Sequence, residues 1–186
     1  AVLRPGRLDV KIRIDRPDKE AARDIFSKYL TDDVPLAKDD FDEAKMVKAE
    51  MLKELIDTAV EDMYSEKPEN RFLRVTYRNR EQEILYFKDF SSGAMIEGIV
   101  SRAKTYAIKR TILSGGRGLR KDDLIEAIRD EYKENEDLPN TTNPDDWAKI
   151  SGKKGEKIVS IETLLPKKVK EPKKEAEEVT VSNRYL

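Results

Sequence analysis

The 186-residue chain has no cysteine and no histidine. Those two absences exclude a disulfide framework, a thiol nucleophile, a zinc site of Cys/His type and a histidine general base. No apolar run approaches the ~18 residues that a membrane-crossing helix needs, and no signal-peptide pattern is present. One sign of charge is not in excess either: 37 Lys+Arg against 38 Asp+Glu leaves a net charge of −1. That balance removes the electrostatic case for nucleic acid as the main partner. Chemistry is left to Arg, Lys, carboxylates, hydroxyls and main-chain amides, a set suited to handling phosphate.

What is present is a hydrophobic fraction of 38%, enough for a modest core, and opposite charges interspersed as on solvated helix faces. The patterning predicts a mainly α protein with a small β-hairpin. Val10, Ile12 and Ile14 alternate with Lys11 and Arg13, as in a sheet-edge strand with nothing in front of it to pair with. A helix is expected over 18–30, capped by Asp18, and a longer amphipathic helix over 43–64. "RFLRVTY" and "EILYF" read as a hairpin over about 71–87 that leans on the helices. Another helix opens with "SSGAMI", capped by Ser91 or Ser92, and ends at "LSGGRG". "LRKDDLIEAIRDEYKENED" continues as helix, and a short strand is possible over 157–161. The segment 166–183 has little to bury and is expected to be disordered.

Three short constellations carry chemistry. In "RPGRLD" a Pro-Gly turn presents Arg4 and Arg7 from a fixed base. A guanidinium donates bidentate hydrogen bonds to a phosphoryl group and stays charged, although an arbitrary Arg-x-x-Arg is more often a solvated surface turn. Gly93 and Ala94 at a helix start either allow close helix packing or let a ligand approach the main chain. The chain ends Tyr185-Leu186, a dipeptide that chance yields often.

The order of these parts, an Arg-Pro-Gly-Arg-Leu-Asp turn, an edge strand, "RPD" and a helical region, resembles the AAA family of ATPases. Over roughly residues 1–161, "RPGRLDVKIRIDRPDKEAARDIFSKYL", "RFLRVTY…YFKDFSSGAMI" and "ENEDLPNTTNPDDWAKISGKKGEKIV" resemble its actinobacterial proteasome-associated branch. The resemblance implies a helical AAA lid plus the last strand of the α/β subdomain. It divides the chain into the end of that subdomain at 1–17, the lid at 18–135, a family-specific extension at 136–165 that includes Trp147, and a tail at 166–186. It further implies a homohexamer using ATP with Mg2+, whose ligands lie outside this sequence, with Arg4 and Arg7 acting as arginine fingers on the neighbouring subunit's nucleotide. Gly93 and Ala94 would lie against the adenosine, and Tyr185 and Leu186 would dock between α subunits of a proteasome core particle.

In that branch the tail ends Gly-Gln-Tyr-Leu, whereas this chain has Asn183-Arg184 before Tyr185. The implied substrates are pupylated proteins, bound by regions absent here, and the implied compartment is the cytoplasm. No G-x-x-x-x-G-K-[ST] loop occurs, so the chain is expected to be the C-terminal part of a longer ATP hydrolase and inactive alone. Two other readings stay open: a protein-remodelling AAA ATPase that works without a proteasome, and a non-enzymatic helical interaction module.

Overall fold

Each α-helix start in this computed structural model, which describes residues 15–37, 40–41, 46–135 and 158–165, is closed by a side-chain oxygen. In α1 (Lys19–Tyr29) the Asp18 carboxylate accepts from the amides of Glu20 at 3.1 Å and Ala21 at 2.8 Å. In α2 (Lys48–Tyr64) the Glu50 carboxylate reaches back to the Val47 amide at 3.1 Å. This helix starts later than the expected 43, because that contact holds Val47 in extended backbone and sets the cap there.

In α3 (Gly93–Ser114) Ser92 is the cap, and in α4 (Lys121–Glu134) the Asp123 carboxylate accepts from the Arg120 amide at 2.8 Å. Buried residues recur at helical spacing, as with Leu52, Leu55, Ile56, Ala59, Val60 and Met63 of α2. Packing runs α3 on α4 and α1, α1 on α2, and α2 on α4.

The hairpin is formed by β1 (Arg71–Tyr77) and β2 (Gln82–Tyr86), antiparallel, with Val75 opposite Glu83. Its turn needs a left-handed residue, Arg80 at φ 67°, and the Asn79 side chain steadies it by accepting from the Glu81 amide at 2.9 Å. A third strand, β3 (Ile158–Thr163), adds antiparallel to the other side of β1, with Val75 opposite Ile161. The sheet order is therefore β2-β1-β3, and the expected hairpin is two thirds of a three-stranded sheet. β1, now central, buries Phe72, Leu73, Val75 and Tyr77. Phe72 meets Phe90 and Tyr132 edge-on at centroid distances of 4.9 and 5.7 Å, joining the sheet to the turn that precedes α3 and to α4.

The mainly α fold with a small β element holds. The strand expected at 9–14, Trp147 and the tail lie outside the described residues.

Candidate functional site

Of the six residues singled out in the sequence, Arg4, Arg7, Tyr185 and Leu186 lie outside the described residues. Gly93 and Ala94 form the first turn of α3. The helix starts there because Ser92 is extended, with φ −142° and ψ 161°, and its Oγ accepts from the Met95 amide at 3.3 Å. A helix start leaves its first amides without intrahelical acceptors and carries a partial positive charge.

The glycine at 93 is not demanded by packing within the chain. A Cβ built there would meet only Ile25 Cδ1, at 3.9 Å, which is ordinary van der Waals contact. Gly98, one and a half turns on, is the tight one: its Cβ would lie 3.0 Å from the Glu131 carboxylate. Helix packing thus explains Gly98 rather than Gly93. Ala94 is exposed, so the turn offers low relief and main-chain donors on its outer side. Such a surface admits a flat ring or an anionic group close to the backbone.

The turn below this start is rigidly held. The Phe87 carbonyl accepts from the Tyr132 hydroxyl at 2.9 Å and the Ser91 hydroxyl at 3.2 Å, and those two hydroxyls are 3.1 Å apart. The Phe87 and Tyr132 rings stack with centroids 4.0 Å apart and an interplanar angle of 4°. Burial pushes the Tyr132 phenol well above its ordinary pKa, against a smaller opposing pull from the Ser91 hydrogen bond. Tyr64 is shifted the same way by burial, and its hydroxyl donates to the Pro17 carbonyl at 2.6 Å. The sequence offered Ser91 only as an alternative cap; its burial beside Tyr132 depends on a partner 41 residues away.

The far end of α3 is built differently. Gly115 and Gly118 take φ of 76° and 89°, and Arg110 reaches over the turn to the Gly118 carbonyl at 2.6 Å and to both oxygens of buried Asp123. Leu119 exchanges main-chain bonds with the α1–α2 connection, accepting from the Ala37 amide at 3.0 Å and donating to the Pro35 carbonyl at 2.8 Å. On the outside of the same end Ile108, Ile112 and Leu113 are exposed beside a groove of about 290 Å³ lined in part by Val34, Pro35, Lys104 and Leu119. Among the described residues no cluster of three or more His, Cys, Asp or Glu is arranged to hold a metal ion, and no helix is long and apolar enough to cross a membrane.

Among the described residues, four capped α-helices stand beside a small antiparallel sheet, with a small-residue helix start on the surface. Residues 17–185 match the family described as "ARC, AAA+ ATPase lid domain", and the chain belongs to that family. Similar curated proteins carry the name "Proteasome-associated ATPase". The one from Streptomyces scabiei is 64% identical over 165 residues, 89% of this chain and 28% of its own length. The relative from Mycolicibacterium smegmatis is 61% identical over 89% of this chain and 27% of its own length. For Kribbella flavida the figures are 58% identity over all of this chain and 32% of the relative. The chain thus spans less than a third of the length of these relatives.

Proposed function

We propose that this chain is the lid and tail of a homohexameric, ATP-driven unfoldase that passes pupylated proteins to a proteasome core particle in the cytoplasm. The observation that carries the reading is the lid-family match over 17–185, reinforced by relatives named for their association with a proteasome. Those relatives are about three times longer, which supports a P-loop and Mg2+ ligands encoded outside these residues.

The residues of this chain then have distinct tasks. Gly93 and Ala94 cover the adenosine side of the nucleotide, a role supported by a glycine that interior packing does not require. Arg4 and Arg7 act in trans, neutralising charge on the phosphoryl oxygens of the neighbouring subunit's nucleotide, which is worth ~10³–10⁵ in rate for an arginine finger. Bound ATP with Mg2+ supplies the phosphoanhydride whose hydrolysis drives the ring. The exposed Ile108, Ile112 and Leu113 support assembly, because apolar side chains grouped in this way mark contact surfaces more often than solvated ones. Tyr185 and Leu186 latch the ring to the protease through an anchoring hydroxyl and the terminal carboxylate.

The 186-residue chain by itself is expected to hydrolyse no ATP, whereas the longer protein does. Measurable turnover by the purified chain would overturn the assignment of its parts. In the longer protein, Arg4→Ala and Arg7→Ala should each collapse kcat, and unchanged turnover would favour a non-enzymatic interaction module. The Asn183-Arg184 pair favours a second reading, a remodelling ATPase that acts without a proteasome. Capture of core particle by the tail peptide, lost when Leu186 is removed, decides for the proteasome; no capture decides for the alternative.

A further inference from the structure

Between the candidate finger segment and the lid, residues 15–18 cross the base of α3 in a way the sequence did not announce. The Arg16 guanidinium donates to the Asp89 main-chain carbonyl and lies over the Phe90 ring, 5.2 Å from its centroid. Pro17 is tied down by the Tyr64 hydroxyl, and Asp18 is committed to capping α1. Arg16 is a surface residue overall, yet burial of its head against Phe90 lowers its pKa from the ordinary value, with Asp89 and then Tyr132 pulling it back up.

The turn that Arg16 grips is not free to follow it. Phe87–Asp89 forms one turn of 3-10 helix, closed by the Asp89 carboxylate accepting from the Tyr86 amide at 2.7 Å. Below, the Phe87 carbonyl holds the buried hydroxyls of Tyr132 and Ser91. Asp89 stands three residues before the Ser92 cap and four before Gly93. A rigid path of a few residues therefore joins the point where the chain enters the lid to the turn that faces the nucleotide.

We infer that Arg16 is a positioning residue, which fixes the direction in which the chain runs from residue 15 into the lid relative to the first turn of α3. In that role it sets how closely Gly93 and Ala94 approach the nucleotide. This rests on the nucleotide-facing role proposed above for that turn. The contact suits positioning more than stability. Its acceptor is a main-chain carbonyl on a turn already closed by other bonds, and the arginine lies at the surface, where removal leaves no cavity. A misaligned cover is costly, since displacement by about an ångström far from the chemistry can lower turnover by up to ~10²-fold.

The test uses the complete ATPase, with KM for ATP and kcat measured separately, and thermal unfolding of the 186-residue chain as a control. Arg16→Ala should raise KM for ATP roughly tenfold while leaving the chain's unfolding midpoint within a degree or two of the parent. Arg16→Lys, which keeps a cation over Phe90 and a donor for the carbonyl, should recover most of the loss. Ala94→Leu serves as the reference, raising KM by filling the cleft directly. If Ala94→Leu raises KM and Arg16→Ala changes nothing, the positioning role is overturned and the nucleotide-facing turn stands. If neither variant moves KM, the nucleotide-facing role falls, and the inference with it. An Arg16→Ala chain that unfolds far below the parent also overturns it, because the arginine would then be a structural brace.

Discussion

Both ends of α3 are marked by glycine, and the two glycines are there for opposite reasons. At the far end, a Cβ on Gly118 would sit 2.3 Å from the Leu36 carbonyl carbon, and the residue already holds φ at 89°. At the near end, Gly93 has an ordinary backbone and space around it. The first glycine is required by the fold; the second is not, which leaves an external reason for it. The same contrast separates the polar groups. Arg110 and Asp123 spend their hydrogen bonds on closing a turn, whereas the Tyr132 and Ser91 hydroxyls hold a turn still whose outer side stays open.

The contrast breaks first, if it breaks, at Gly118. Gly118→Ala should cost on the order of 4 kcal/mol, combining a left-handed conformation with overpacking, and denaturant unfolding of the chain measures it; a loss under about 1 kcal/mol would mean that the clasp with Leu36 is not tight.

Asp123→Ala comes next. The carboxylate is 6% exposed and Arg110 21%, so removal strands a half-sheltered cation and uncaps α4, at about 3 kcal/mol. The unfolding midpoint should fall correspondingly, and Arg110→Ala should fall less.

Tyr132→Phe removes a hydroxyl from the near end and should cost about 1 kcal/mol near neutral pH. It should also change the alkaline limb of stability. Tyr132 titrates higher folded than unfolded, so its contribution is complete below about pH 10, the unfolded value, and is lost as pH rises from there toward the folded value. A pH series of unfolding curves should show a shallower decline above pH 10 in the variant than in the parent, with Tyr64 supplying part of what remains.

Gly93→Ala should be the smallest change, a gain of about 0.5 kcal/mol from reduced freedom of the unfolded chain. A clear loss in the same unfolding assay would show that the near glycine serves the interior after all.

Most helices were legible because apolar spacing and caps are local. Ala22 and Phe26, or Leu124 and Ile128, lie four apart, and Asp18 and Ser92 stand immediately before the first turn. The helix α2 starts later than the sequence suggests because "EAKM" continues the helical pattern in sequence while Glu50 closes the cap at Val47, four residues further on than 43. The pairing of β3 could not be read. Its residues alternate weakly, and its partner strand lies some 85 positions earlier, so nothing local announces the match of Ile161 to Val75.

Within "LSGGRG" three glycines look alike; only the approach of the Pro35–Ala37 segment to Leu119 shows that Gly118 is the squeezed one. At the candidate site, Gly93 and Ala94 were legible as small residues at a helix start. The grip of Arg16 on Asp89 was not, because "DRPD" reads locally as the end of a strand and the acceptor is a main-chain oxygen 73 residues away.

The attachment of β3 has a mechanical corollary. Just past the strand, the Leu164 amide donates to the carbonyl of Phe72 at 2.9 Å, and the ring of that same residue sits among Phe87, Phe90 and Tyr132. Tension applied through the C-terminal end of the strand is therefore delivered to the middle strand of the sheet and to a ring held by three aromatic neighbours, rather than dissipated at a loose margin.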